Sequence, residues 1–477
     1  MDQAKFSARL PGYLYLVLCA LVGVALVFLF LDSYQQDGGN HFIFARWGWR
    51  HPDFFIGVWT RPLFTFLYSI PGQLGYRAAK LFAVLISVLA AWQTWKIAEF
   101  YKLERSPLVI LFLLLQPTFF LMWADTMTEP LFALVFAVAL HLHLKGWVRT
   151  GAFVASLMLL ARPEGFFLGA MWGFWILFDP RVGKNILRRI PWTLLLASGG
   201  IIWIGVSWAI SGDIQYIRHV WPKDWDATGA SYGSGPAWDY LARLPEIVGP
   251  MMMVPFLVGI VAARRRMPEV TSSVVTLFLV HSIFRTFGMF GSAGYARYFV
   301  CVAPAIAVLT LVGWNKFAEW LTPVGPKVRA TIGIAVLLIS GTLCFLYTDA
   351  SSWSRDARAV QEMHTWWKSN ERPVSKLVWS QAYQNIVMDR DPLEKPYFTS
   401  NKDQNLKLLQ DLPSGTLVFW DGQTGPAWYK LTADDIEAAG FHRLRSQVYI
   451  LRGYLINSFW FGYGGPRRQE MHLLYKE

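Results

Sequence analysis

Residues 12–41 read GYLYLVLCALVGVALVFLFLDSYQQDGGNH, about twenty apolar residues followed at once by two carboxylates, two glycines and a histidine. A run of that length crosses roughly 30 Å of hydrocarbon as an α-helix. It is too long for the apolar core of a cleaved signal, and Asp32-Ser33-Tyr34 follows it where a cleavage site would need small residues. The segment therefore reads as an uncleaved signal anchor that delivers Asp37 and His41 to the membrane edge.

The pattern recurs along the chain of 477 residues, of which 54% are hydrophobic, 16% aromatic and only 16% charged. Soluble domains carry about 25% charged residues, so the composition is that of an integral membrane protein. Eleven apolar runs are expected as spans, near 12–31, 75–95, 107–123, 130–144, 151–162, 165–179, 192–211, 245–263, 270–289, 297–315 and 330–348. The fifth is too short to span as drawn, which makes it either tilted and longer or a broken helix.

Basic residues orient the bundle, because Lys and Arg in short loops stay on the cytoplasmic side. With the N-terminus inside, the inner segments collect Lys96, Lys102, Arg105, Lys145, Arg149, the DPRVGKNILRRI stretch and Arg264–Arg266. The reverse topology would place these outside. The net charge of +12 is mostly this asymmetry together with contact to anionic lipid. No basic surface stripe accompanies it, which excludes nucleic acid as a partner. Cys19, Cys301 and Cys344 all fall within expected spans and form neither a disulfide framework nor a metal-ligand spacing.

After about residue 349 the chain turns polar. DARAVQEMHTWWKSN has helical spacing; SKLVWS, GTLVFW and RSQVYILRGYL read as strands; LTADDIEAAGF opens with Thr432 and Asp435 at capping-box spacing and stops at Gly440. The expected organisation is a transmembrane domain over 1–348, with a first outer loop at 32–74, and a small soluble α/β domain over 349–477 on the outer side.

Ionisable groups at membrane depth cost about 2.5–3.5 kcal/mol each at a helix centre and tend to be kept for function. Four groups stand out: Asp37 with His41; Asp125 and Glu129 in WADTMTEPLF; Arg162 and Glu164 in ARPEGF; and Tyr295 with Arg297 in GYARYF. In the inferred topology all four sit at outer span ends and can share one outward-facing cavity. The loops at 32–74 and 213–240 supply aromatics, Gly and Pro suited to its walls.

An acidic first outer loop, then RPLFTFLYSIPGQLGYRAAKLFAVL, TEPLFALVFAVALHL, ARPEGFFLGAMWGFWIL and GYARYFVCVAPAIAV, in that order, resembles the GT-C superfamily of integral membrane glycosyltransferases. That superfamily includes mannosyltransferases and lipid A aminoarabinose transferases, and the likeness covers most of residues 10–348. It implies transfer of a sugar from a polyprenyl-phosphate carrier to a hydroxyl acceptor at the outer face of the membrane. The position matching the family's catalytic acid is Asp37. Many relatives carry paired acidic residues there, whereas this loop reads QQDGG.

A polyprenyl-phosphate sugar departs as a phosphate monoester, a good leaving group, so one carboxylate acting as base suffices. A glycoside hydrolase, by contrast, needs a pair. Cationic groups should stabilise the departing phosphate; Arg162 and Arg297 are candidates through bidentate contacts. Arg61 in the RPLF motif, His41, Asp125, Glu129, Glu164 and Tyr295 complete the expected substrate- and phosphate-binding set. No metal-ligand spacing is present and no motif assigns a cofactor; a divalent cation, Mg or Mn, at Asp37 stays open, since it would need only oxygens and water.

Each residue also has a plainer reading. Asp37 can cap a turn beside Gly38 and Gly39. Glu129 and Glu164 suit helix starts, Arg162 can bridge carboxylates across helices, and Arg297 can snorkel to headgroups. A transporter or flippase of lipid-linked sugars would use the same residue types, but no inverted repeat supports it. A scaffold anchored by eleven spans is extravagant, and a ligase of the O-antigen type places its catalytic loop late in the chain. The expected setting is a bacterial inner membrane, with the active site facing the periplasm.

Overall fold

The computed structural model describes residues 3–30, 36–222, 233–350, 353–370, 372–451 and 467–477. Two compact units emerge, one formed by 1–27 and 48–345 and the other by 28–47 and 346–477.

The first unit is helical, and the chain is a multi-pass membrane protein. Among the described residues, six helices are long and apolar enough to cross a bilayer: Arg9–Leu29, Tyr76–Phe100, Ile186–Ser211, Pro268–Phe287, Ala296–Trp320 and Pro326–Tyr347. Four expected spans appear as shorter apolar helices, Glu129–Leu144, Val148–Ala161, Gly165–Phe178 and Pro250–Ala263. The run expected as one span over 107–123 is divided into Leu108–Leu114 and Pro117–Met122. The break has a local cause. Gln116 precedes Pro117, whose ring disfavours helical backbone at the preceding residue, and Gln116 accordingly adopts φ −76°, ψ 119°. Its side chain donates to the Ala303 carbonyl at 3.0 Å.

The short fifth run is also broken, into Val148–Ser156 and Met158–Ala161. It ends at Arg162, which precedes Pro163 and is extended at φ −162°, ψ 151°.

Close helix approach in the first unit uses glycine. A Cβ at Gly259 would fall on the Leu309 carbonyl oxygen, and one at Gly313 on that of Pro255. The helices Met253–Ala263 and Ala303–Trp320 thus meet backbone to backbone, the small-residue contact by which membrane helices gain dispersion energy.

The second unit is built on a four-stranded mixed sheet of order β1-β2-β4-β3, where β1 is Lys376–Trp379, β2 Thr416–Asp421, β3 His442–Leu451 and β4 Arg467–Tyr475. β1 and β2 are parallel, whereas β4 runs antiparallel to both β2 and β3. Val378, Val418, Trp420, Ile436, Phe441 and Leu474 form its core. Three expected strands and the helix Trp353–Ser369 are present, while residues 452–455 of the third expected strand lie outside the described residues. The Thr432–Asp435 capping box forms with bonds of 2.9 and 3.2 Å, and the chain leaves the helix through Gly440 at φ 95°. β4 was not expected: RRQEMHLLY has no β-branched residue, and its strand state is imposed by pairing with β2 and β3.

Residues 28–47, which sequence alone places with the membrane part, join this unit. The segment Gln36–Trp47 is helical, not an irregular loop, and contacts the helix Ala382–Met388. Arg46 there makes two hydrogen bonds to Asp389, of 3.2 and 2.9 Å. Gly38 and Gly39 are buried in this helix.

Candidate active site

Local chain direction presents the charges of the first unit. Glu129 is the first residue of the helix Glu129–Leu144, and Glu164 directly precedes Gly165–Phe178. Both occupy the helix-start position that favours a carboxylate. Arg162, extended ahead of Pro163, projects from between two helices and gathers both. Its Nη1 lies 2.8 Å from Glu129 Oε1, and its Nη2 and Nε donate to the two Glu164 oxygens at 2.7 and 3.1 Å. Nη1 also donates to Thr128 Oγ1 at 3.0 Å. Glu129 is 0% exposed and Arg162 6%, so the Arg162–Glu129 contact is a desolvated ion pair, and the bonds to Glu164 are charge-assisted hydrogen bonds stronger than their surface counterparts.

Arg297 adds a second guanidinium near Glu129. It lies on the 3-10 turn Ala296–Val302, is 7% exposed, and sets its Nε 3.7 Å from Glu129 Oε1. The Tyr295 ring stands 5.0 Å from its guanidinium carbon, within cation–π range. Arg61 is buried, donates to Val58 O at 3.2 Å, and lies within electrostatic reach of Glu164. Its backbone is left-handed at φ 59° immediately before Pro62, a conformation costing about 1–3 kcal/mol for a non-glycine residue and concentrated at functional sites.

Sequence reasoning missed three members of this cluster. Thr128 holds Arg162 as described. Tyr298 lies beneath Arg162, with 5.9 Å between guanidinium carbon and ring centre. His281, from the helix Pro268–Phe287, stacks on Tyr298 with centroids 4.6 Å apart and planes at 10°. It is 4% exposed, and neither ring nitrogen has a hydrogen-bond partner among the described residues. Glu164 and Arg162 both act on it electrostatically. Its only sequence signal is a lone ionisable residue inside VTLFLVHSIF, which is more often a solvated or structural histidine.

Thus Glu129, Arg162, Glu164, Arg297, Tyr295 and Arg61 come together. Asp125 is buried a turn earlier and accepts its neighbour Thr126 N–H at 2.6 Å. Asp37 and His41 belong to the second unit, one helical turn apart on one face of Gln36–Trp47. Asp37 is half-buried in the first turn and His41 is buried. Among the described residues, no three His, Cys, Asp or Glu side chains converge as a metal site would require.

No family model and no curated protein sequence matches the chain. Among solved structures, it is similar to ArnT from Cupriavidus metallidurans in the apo state, at 14% identity and TM-score 0.58, over 96% of this chain and 97% of that one. It is also similar to the same protein bound to undecaprenyl phosphate, at 12% identity and TM-score 0.61, again over 96% and 97%. At this identity the likeness is one of fold, and it runs the length of both chains: this protein has the fold of ArnT.

Proposed function

We propose that this protein is an inverting membrane glycosyltransferase. It moves a sugar from a polyprenyl-phosphate carrier to a hydroxyl-bearing acceptor at the periplasmic face of a bacterial inner membrane. The observation that carries the reading is the full-length likeness to ArnT, whose fold accommodates undecaprenyl phosphate. The buried arginine cluster of the first unit agrees with it.

In the reaction the acceptor oxygen attacks the anomeric carbon while the bond from that carbon to the phosphate oxygen breaks. The electron pair leaves with the phosphate, giving a polyprenyl phosphate monoester, and the acceptor proton passes to Asp37. Attack from the face opposite the phosphate inverts the anomeric centre. Arg297 stabilises charge growing on the departing phosphate. Arg162 already directs its guanidinium to Glu129, Glu164 and Thr128, and is assigned to holding the cluster together. His281 supplies a buried ring N–H for phosphate or sugar. No step needs a metal, because the leaving group is already good. A divalent cation on Asp37 is the alternative that a chelator separates: transfer persisting in excess EDTA is expected.

The test is transfer of radiolabelled sugar from a panel of polyprenyl-phosphate sugars to membrane extracts, using purified protein in nanodiscs. A labelled product made by wild type and absent with a folded Asp37→Asn variant supports the reading. Carrier movement across vesicles without any glycosidic product would overturn it.

A further inference from the structure

Within the second unit a chain of hydrogen bonds runs from the sheet to the turn that bears Asp37. It begins where the two parallel strands end. Ser380 follows β1 and Asp421 is the last residue of β2; both are buried. Ser380 Oγ donates to Asp421 Oδ2 at 2.7 Å and accepts the Asp421 N–H at 2.8 Å. Asp421 Oδ1 then accepts the backbone N–H groups of Gln423 and Thr424, at 2.9 and 2.5 Å, and the Gln469 side-chain amide at 3.3 Å. Each is a bond to a carboxylate, roughly twice as strong as a neutral one. Together they fix the start of the helix Thr424–Tyr429.

Thr424 in turn holds the other helix. Its Oγ1 accepts from Gln36 Nε2 at 2.6 Å, and Gln36 is the residue directly before Asp37 and the first of Gln36–Trp47. The far end of that helix is gripped separately by the two Arg46–Asp389 bonds, with Asp389 in a left-handed conformation at φ 46°. The Asp37 helix is therefore tied at both ends to turns that the sheet domain organises.

We propose that Thr424, set by Asp421 and Ser380, is a positioning residue for Asp37, and that the second unit serves the reaction by holding the base's turn in register. This rests on the reading of Asp37 as the base. A single side-chain bond is too weak to decide whether the unit folds, but misplacing a reacting group by about 1 Å costs about 100-fold in rate.

The experiment measures kcat and KM for sugar transfer, with thermal unfolding, on the full chain in nanodiscs. It compares wild type, Thr424→Val, Thr424→Ser, Gln36→Leu and Asp37→Asn. Thr424→Val and Gln36→Leu should each keep the wild-type melting temperature and KM yet lower kcat by about 10- to 100-fold, with Thr424→Ser close to wild type. A role confined to stability would move the melting temperature and leave that split absent. Wild-type kcat in both Thr424→Val and Gln36→Leu, beside an inactive Asp37→Asn, overturns the positioning inference and leaves the transferase reading standing. Full activity in Asp37→Asn overturns the base assignment, and the inference with it.

Discussion

Arg162 reaches Glu129 at 2.8 Å across two helices whose facing ends both carry a proline next to the charge. Buried pairs of this kind contribute little net stability but are costly to break, since the surviving partner is left charged and unsolvated. Arg162→Ala should therefore destabilise the protein by about 3–5 kcal/mol, read as a fall in melting temperature by fluorescence-detected size exclusion. The triple variant Arg162→Met, Glu129→Leu, Glu164→Leu should recover most of that loss without recovering transfer.

Arg297 has a different environment, with Glu129 at 3.7 Å and the Tyr295 ring alongside. Arg297→Ala should lower kcat by about 100- to 1,000-fold, measured with saturating donor. Arg297→Lys keeps the charge but loses the planar fork, so only partial recovery is expected. Wild-type kcat in the alanine variant would remove Arg297 from the phosphate.

Gly313 and Gly259 test the packing of the first unit. Alanine at either position meets a carbonyl oxygen of the neighbouring helix rather than a movable side chain, and overpacking of this sort costs about 1–3 kcal/mol. Lower monodisperse yield and lower melting temperature are expected for both variants. Gly205→Ala, where a Cβ would meet nothing within 4 Å, should behave as wild type.

Lys395 predicts a pH dependence in the second unit. Its Nζ lies 3.2 Å from the Tyr429 hydroxyl and about equally near the Trp379 and Tyr429 rings, at 5.1 and 4.9 Å. Burial pushes its ammonium group down from 10.5 to about 7. Between those values the unfolded chain binds the proton and the folded one does not, so stability rises with pH across that interval. Below about 7 the cost of burying the charge is present in full. Hydrogen exchange over residues 376–431 of the full chain should slow, after correction for the intrinsic rate, between pH 7 and 9. Lys395→Met should remove that trend and increase protection at pH 7.

Much of the membrane architecture was legible because it depends on local sums. Hydropathy over about twenty residues places Arg9–Leu29 or Pro326–Tyr347 without reference to any partner. The pre-proline rule likewise accounts for the breaks at Gln116 and Arg162 from their immediate neighbours. Thr432 and Asp435 form a capping box for the same reason: both partners lie within one turn.

The pairings were legible only in part. The residue types of the cluster could be picked out one by one, and Arg162 and Glu164 are near neighbours in the chain, but that Arg162 also reaches Glu129 at 2.8 Å while Arg297 stays 3.7 Å from it depends on how distant helices dock. His281 has no local signature, and β4 is a strand only because β2 and β3 flank it. Sequence alone determined that the chain crosses a membrane, roughly where its long apolar helices lie, and which side chains could carry chemistry, since solvation acts over a few bonds. Tertiary structure decided which charges neutralise one another and which turn of the sheet domain holds Gln36 beside Asp37. Such contacts join residues as far apart as Gln36 and Thr424, whose approach is set by packing that no short window of sequence encodes.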